Sequence, residues 1–205
     1  MGETTALSSA LVVVDYQNDF CHPDGAFGCA GHNLSAVQAV AEPIRHLRQQ
    51  AHRSGVPVIL VRVEHSAWTD DQAWIRRFEG LPAEVRPKGA VAAKGSWGAD
   101  FYELDADDRD LVLVKHRYSA FSYTPLELVL RARHVTHVVI CGVQTDVCVQ
   151  GTARDALQAG FQPIVVSDAV ATGDQGAHLA ALDGIRLRVG PLAAAHEVIE
   201  AWSDG

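Results

Sequence analysis

A cysteine, an aspartate and a lysine, each at the end of a β-branched run, are the residues of this chain best placed to do chemistry. The run Val138-Val139-Ile140 leads into Cys141-Gly142-Val143-Gln144-Thr145-Asp146-Val147-Cys148, and a helical pattern follows. Thr145 suits the N-cap, which makes Asp146 the first helical residue and Cys148 the third. The sulfur is then expected among unpaired backbone N–H groups at the positive end of a helix. That setting predicts a lowered thiol pKa and makes Cys148 the candidate nucleophile. A cysteine taken alone is as readily a small buried hydrophobe, so the assignment needs partners.

The runs Leu11 to Val14 and Leu111 to Val114 supply them, ending in Asp15 and Lys115. In a parallel sheet all three groups emerge on one edge, which is where open α/β sheets bind ligands. A thiol attacking a carboxamide needs a base for its proton, a cation or dipole to favour the anions, and donors for the tetrahedral oxyanion. Asp15, Lys115 and the backbone N–H groups of Gln144 and Cys148 fill those roles in turn. Singly, an aspartate closing a strand often caps a turn, and a strand-end lysine often forms a surface ion pair. Their coincidence on one edge carries the reading.

The elements that must position them alternate short apolar runs with amphipathic stretches, which predicts an α/β fold of three layers: a six-stranded parallel sheet with helices on both faces. After the first strand, a helix is expected from about Asn33 to His52, then a strand from Pro57 to Val63. From Glu64 to Asp110 periodicity fades into a Gly-, Pro- and Trp-rich excursion that reads as functional rather than as a linker. The third strand follows, then a helix over Pro125 to Arg133 with proline in its first turn. Thr136 to Ile140 is the fourth strand, and the Cys148 helix stops at Gly160. The tail reads as strand Gln162 to Val166, helix Gln175 to Leu182, strand Ile185 to Val189 and helix Ala193 to Trp202.

Length and charge bound the function. The 205 residues fit one domain spanning 1–205, and 17 Lys plus Arg against 25 Asp plus Glu give a net charge of −8 with no basic stripe. Nucleic acid and anionic lipid are disfavoured as partners. No apolar run approaches the roughly 20 residues of a membrane span, and the start resembles neither a signal peptide nor a myristoylation site, so a cytoplasmic location is expected. In that compartment Cys21, Cys29, Cys141 and Cys148 are expected as free thiols.

Three segments, Val12-Val13-Val14-Asp15-Tyr16-Gln17-Asn18-Asp19-Phe20, Lys115-His116-Arg117-Tyr118-Ser119-Ala120-Phe121 and Gly142 to Val149, resemble the isochorismatase-like cysteine hydrolases in order, spacing and position on three strand ends. Thr152-Ala153-Arg154-Asp155-Ala156 and Ser167-Asp168-Ala169 fit the same family. The resemblance implies catalytic Asp15, Lys115 and Cys148, and a cis peptide between Val143 and Gln144 that turns the Gln144 amide toward an oxyanion hole shared with Cys148. It also places Phe20, Trp68, Trp97, Tyr118 and Phe121 near the pocket as candidate substrate-binding residues. A cysteine shifts the expected reaction from vinyl ether hydrolysis, as in isochorismatases, toward C–N cleavage of a small carboxamide, carbamoyl or ureido compound or cyclic amide. The expected partner is a small-molecule substrate, and a homodimer or homotetramer is expected.

Metal-dependent nicotinamidases in this family carry an Asp-x-His pair after the second strand. Here the region reads Glu64-His65-Ser66, without the pair, so no metal and no cofactor is expected; isochorismatase and nicotinamidase activities stay as alternatives, the latter because Glu64 and His65 are a carboxylate and an imidazole that can still bind metal. Cys21, His22, Cys29 and His32 have zinc-ligand types at loose spacing, and Gly25, Gly28 and Gly31 come too late after the strand for a dinucleotide fingerprint. A non-catalytic binding or assembly module is the competing class. Against it, a buried Asp and Lys without a task would cost stability.

Overall fold

β-Branched residues dominate the central strands because both faces of those strands are covered. In the computed structural model, which describes residues 8–77, 79–80 and 91–203, six strands form one sheet. They are β1 (Ser9–Val14), β2 (Val58–Val63), β3 (Asp110–Lys115), β4 (His137–Val143), β5 (Gln162–Ala171) and β6 (Leu192–Ala193). Their order is β3-β2-β1-β4-β5-β6, with every neighbouring pair parallel. The order reverses between β1 and β4, so loops from the two strands diverge and leave a crevice at their carboxyl ends. Of the markers in the long excursion, Pro82, Pro87 and Gly89 lie outside the described residues.

Alternate side chains of the strands feed two cores. On one face Leu11, Val13, Leu60, Val139 and Val166 pack with Ile44 and Leu47 of α4 (Ala41–Arg53) and Val198 and Trp202 of α9 (Ala195–Ser203). On the other, Val12, Val14, Ile59 and Ile140 meet Leu126 and Leu130 of α6 (Leu126–Ala132), Ala153 and Ala156 of α7 (Gln150–Gln158), and Ile185 of α8 (Gln175–Arg188). Helices therefore cover both faces of the parallel sheet, as the continuous apolar strands require. Among the described residues no helix is long and apolar enough to cross a membrane.

The elements depart from the expected ones in the tail and at two helix starts. Ile185 to Val189 is not the sixth strand: α8 runs through Arg188, and the strand is the two-residue β6. Ile185, Leu187 and Val189 alternate as in a strand, but Ala181 and Ile185 are a helical turn apart, and both are buried. The helix expected from Asn33 to His52 is two, α3 (Ser35–Ala39) and α4. Pro43 lacks an N–H to continue α3, yet it is tolerated in the first turn of α4. Finally, Thr145 does not cap the Cys148 helix. Gln144 holds that position, and Thr145–Val149 form a π-helical turn that runs into α7.

Gly142 shows how closely β1 and β4 approach beside the crevice. It has φ +112°, and a Cβ there would fall 2.1 Å from the Val14 carbonyl oxygen. Only glycine combines that conformation with that contact.

Candidate active site

Backbone geometry at the three strand ends converges their side chains. Asp15 leaves β1 with φ 50°, a left-handed conformation that aspartate tolerates better than most residues, and this ends the strand's alternation. Its N–H is still held by the Val61 carbonyl at 2.9 Å. Lys115 is the last residue of β3, and its carbonyl accepts from Glu64 N–H at 3.0 Å. The Val143-Gln144 peptide is cis, and the π-helical turn that follows carries Cys148.

The ammonium of Lys115 lies between the other two groups. Its Nζ is 2.7 Å from Asp15 Oδ2 and 3.5 Å from Cys148 Sγ, and it donates to the Arg117 carbonyl at 2.8 Å. Asp15 and Lys115 are both fully buried, while Cys148 is half-buried and lines a cavity of about 530 Å³. Asp15 is thus in reach of both the Lys115 ammonium and the Cys148 thiol, which are its side-chain hydrogen-bonding neighbours.

The electrostatics overturn one expectation. Burial pushes the Cys148 thiol up, not down. Lys115 opposes that rise, but the Asp15 carboxylate adds to it. The helix start does not outweigh lost solvation and a neighbouring anion. Burial also raises the Asp15 carboxyl, with Lys115 pulling the other way. Burial works against the Lys115 ammonium, yet Asp15 and Cys148 outweigh it and raise its pKa. The resting site therefore holds Asp15 and Lys115 against each other beside a protonated thiol, and attack by that thiol would need a base.

Polar residues that follow Asp15 hold the surrounding loops. Gln17 is buried, donates to the carbonyls of Val63 and Ala99 at 2.9 and 2.8 Å, and accepts from Val63 N–H at 2.8 Å. Asp19 accepts from Ala26 N–H at 2.9 Å and Ala92 N–H at 2.6 Å, fixing two cavity-side loops at once. Both lie in the segment that follows Asp15, where a polar run directly after a buried strand is the signal that marks them.

Of the five aromatics expected near the pocket, Phe20 and Tyr118 line it. Trp68 is 98% exposed, Trp97 is 51% exposed with its ring edge-on to His22 at 4.9 Å, and Phe121 packs against Phe161 at 5.9 Å in the second core. Those three are held away from the cavity by their own loops. Phe27, Trp74 and Arg77 line it instead. Trp74 and Arg77 belong to the aperiodic excursion, where spacing carries no information about direction.

The residues weighed as metal donors do not gather. Glu64 pairs with Arg62 at 2.8 Å and His65 with Asp70 at 3.0 Å. Cys29 donates to the Asp24 carbonyl at 3.5 Å, and Cys21 is buried. Among the described residues the ligand atoms that converge are those of His52, Asp107 and Asp110, at the start of β3 and the sheet edge away from Lys115. Arg48 already contacts both carboxylates there.

The sequence and fold match known proteins across nearly the whole chain. A ureidoacrylate amidohydrolase, RutB, of Enterobacter sp. (strain 638) is 33% identical over 95% of this chain and 89% of its own. A cysteine hydrolase from Pseudomonas syringae pv. phaseolicola 1448A superposes with a TM-score of 0.85 at 27% identity, covering 100% of this chain and 96% of that one. N-carbamoylsarcosine amidase from Thermoplasma acidophilum gives 0.73 at 32% identity, covering 92% and 96%. With the Isochorismatase domain matched over residues 9–197, the chain belongs to the isochorismatase family.

Proposed function

We propose that this protein is a cysteine hydrolase that cleaves a C–N bond of a small carboxamide, carbamoyl or ureido compound. The observation that carries the reading is the buried Lys115 ammonium, 2.7 Å from Asp15 and 3.5 Å from Cys148. Relatives named for ureidoacrylate and N-carbamoylsarcosine, both carbamoyl compounds, support the substrate class.

In this reading Asp15 takes the Cys148 proton as the sulfur bonds to the substrate carbonyl carbon. Lys115 keeps the carboxylate aimed and balances the charge. The backbone N–H groups of Gln144 and Cys148 receive the oxyanion. Collapse breaks the C–N bond, and Asp15 returns its proton to the departing nitrogen. Water, deprotonated by Asp15, then cleaves the thioester; the carboxyl product leaves and the thiol is restored.

The test is ammonia or amine release across small amides, ureides and lactams, with isochorismate and nicotinamide as controls. Intact-protein mass spectrometry after quenching should show an acyl adduct on Cys148. Turnover of isochorismate alone, or an adduct on another residue, would overturn the proposal.

The pH profile of that turnover follows from the buried groups. Attack requires an ionised Asp15, whose pKa lies above its ordinary 3.8 because burial destabilises the anion. Activity should therefore fall on acidification through a limb above the usual carboxylate range. On the alkaline side it should persist until Lys115, raised above 10.5, loses its proton. A kcat/KM profile that instead turns on near a free thiol's pKa of about 8.5 would show that a standing thiolate is the reactant.

A further inference from the structure

Resting on the proposed C–N hydrolysis, we infer that His65 accepts a hydrogen bond from the departing nitrogen, so that favoured substrates carry an N–H on the scissile nitrogen and fully substituted amides are rejected. His65 lies two residues past the end of β2, and its ring lines the cavity that holds Lys115 and Cys148. The sheet order sets the direction. β2 stands between β1 and β3, so His65 belongs with Asp15 and Lys115 on one side of β4, while Thr172 and Asp174, which follow β5, line the other. A carbonyl seated on Cys148, with its oxygen at the Gln144 and Cys148 N–H groups, must turn its leaving nitrogen toward Asp15 to receive the proton. That nitrogen then arrives at the wall that His65 forms.

What the imidazole offers there is fixed by its other nitrogen. Nδ1 is 3.0 Å from Asp70 Oδ1. A carboxylate can only accept, so the proton belongs on Nδ1, and Nε2 is left as an acceptor. The opposite tautomer, in which Nδ1 accepts from Nε1–H of Trp74 in α5 (Gln72–Arg76) at 3.3 Å, would press a lone pair against the Asp70 oxygen. Nε2 has no hydrogen-bond partner among the described residues. The side chain is 14% exposed, and the cavity is the open space that the ring borders.

Burial is the largest cause holding His65 below its ordinary 6.5; Asp70 opposes it, and Arg77 and Lys115 add to it, so Nε2 keeps its lone pair at neutral pH. The same ring is an electrostatic neighbour of Asp15. Once the substrate carbon becomes tetrahedral, the nitrogen gains a lone pair of its own. With its N–H held by His65, that lone pair is free to take the proton from Asp15. Positive charge developing on the nitrogen strengthens the N–H···Nε2 bond, so the contact acts on kcat. A nitrogen bearing two carbon substituents instead sets a methyl or methylene group against Nε2 and leaves it unpaired.

The test uses benzamide and succinamate, each as the primary, N-methyl and N,N-dimethyl amide, with release of ammonia, methylamine or dimethylamine as the readout. The parent protein should favour the N-methyl over the N,N-dimethyl member in kcat/KM by about tenfold or more. His65→Leu should bring that ratio toward unity through kcat on the N-methyl member. His65→Gln, whose side-chain oxygen accepts, should restore part of it. Asp70→Leu should lower it too, because Nδ1 is then free to accept from Trp74 and Nε2 becomes a donor. Calorimetric binding of N-methylsuccinamate and N,N-dimethylsuccinamate to Cys148→Ala reads the contact without turnover, and adding His65→Leu should weaken the first alone.

Equal use of the N-methyl and N,N-dimethyl members by the parent protein would overturn the assignment. So would an unchanged ratio in His65→Leu, which would make size the cause, or a parallel loss of both members. Should none of the amides be hydrolysed, the hydrolysis reading loses its support. The calorimetry on Cys148→Ala still decides His65, and equal binding of the two succinamates, or none, counts against it.

Discussion

Cys148→Ala should lower kcat on the order of 10^6-fold, to the background left by the rest of the site, while the fold survives. Cys148 is half-buried at the rim of the second core, and alanine keeps the backbone and most of the contact there. The chemistry depends on a covalent bond that no neighbour can make. Cys21 and Cys141 are buried elsewhere, with their thiols raised by burial. Asp15→Asn should cost about 10^2 to 10^4 in kcat, the usual contribution of a positioned proton acceptor. Because both residues serve one step, the double variant should be no slower than Cys148→Ala alone. Rates normalised to folded protein check the pattern; Cys148→Ala retaining about 1% of turnover would remove the covalent mechanism.

The raised Cys148 pKa explains why the effects should be so strongly coupled. A helix end stabilises a nearby anion by about 0.3 to 1 kcal/mol in exposed settings and about 2 in favourable buried ones. Removing a thiolate from water costs more than that, and the Asp15 carboxylate adds repulsion. In the proposed mechanism the thiol therefore keeps its proton until the substrate carbonyl is in place, and the aspartate that hinders the resting thiolate is the group that receives the proton.

The site and the sheet were legible in the sequence for the same reason. Strands buried on both faces must be short apolar runs, so a charged residue ending one marks where the chain leaves the core. Asp15 and Lys115 are such ends, and the structure brings both to Cys148. Where tertiary packing decides, the sequence was silent or misleading. Ile185 to Val189 has strand-like alternation but continues a helix because Ile185 and Ala181 bury one helical face. Direction was hidden too in the excursion after β2. Trp68 and Trp74 are both tryptophans on one short segment, yet Trp68 is exposed and Trp74 lies between Arg77 and Tyr118. The Cys148 pKa could not be read from helix position alone, since its direction depends on burial and on Asp15.

Lys115→Met should both abolish hydrolysis and destabilise the fold by about 3 to 5 kcal/mol, the usual cost of leaving half of a buried ion pair behind. Both partners are fully buried, so water cannot take the place of the lost ammonium. Asp15→Leu combined with Lys115→Met should recover much of the stability and none of the activity, because a neutral pair of similar bulk removes the stranded charge without restoring the proton path. The pH dependence fixes the cause. Without Lys115, protonation is the remaining way to neutralise Asp15, so its folded-state pKa climbs further above the unfolded 3.8. Stability gained from that proton is complete below the unfolded value and is lost as pH rises through the folded one. The deficit of Lys115→Met against the parent should therefore be small in acid and grow toward neutral pH, as measured by urea unfolding at both. A deficit independent of pH would mean that lost packing of the lysine stem, and not an uncompensated carboxylate, governs the loss.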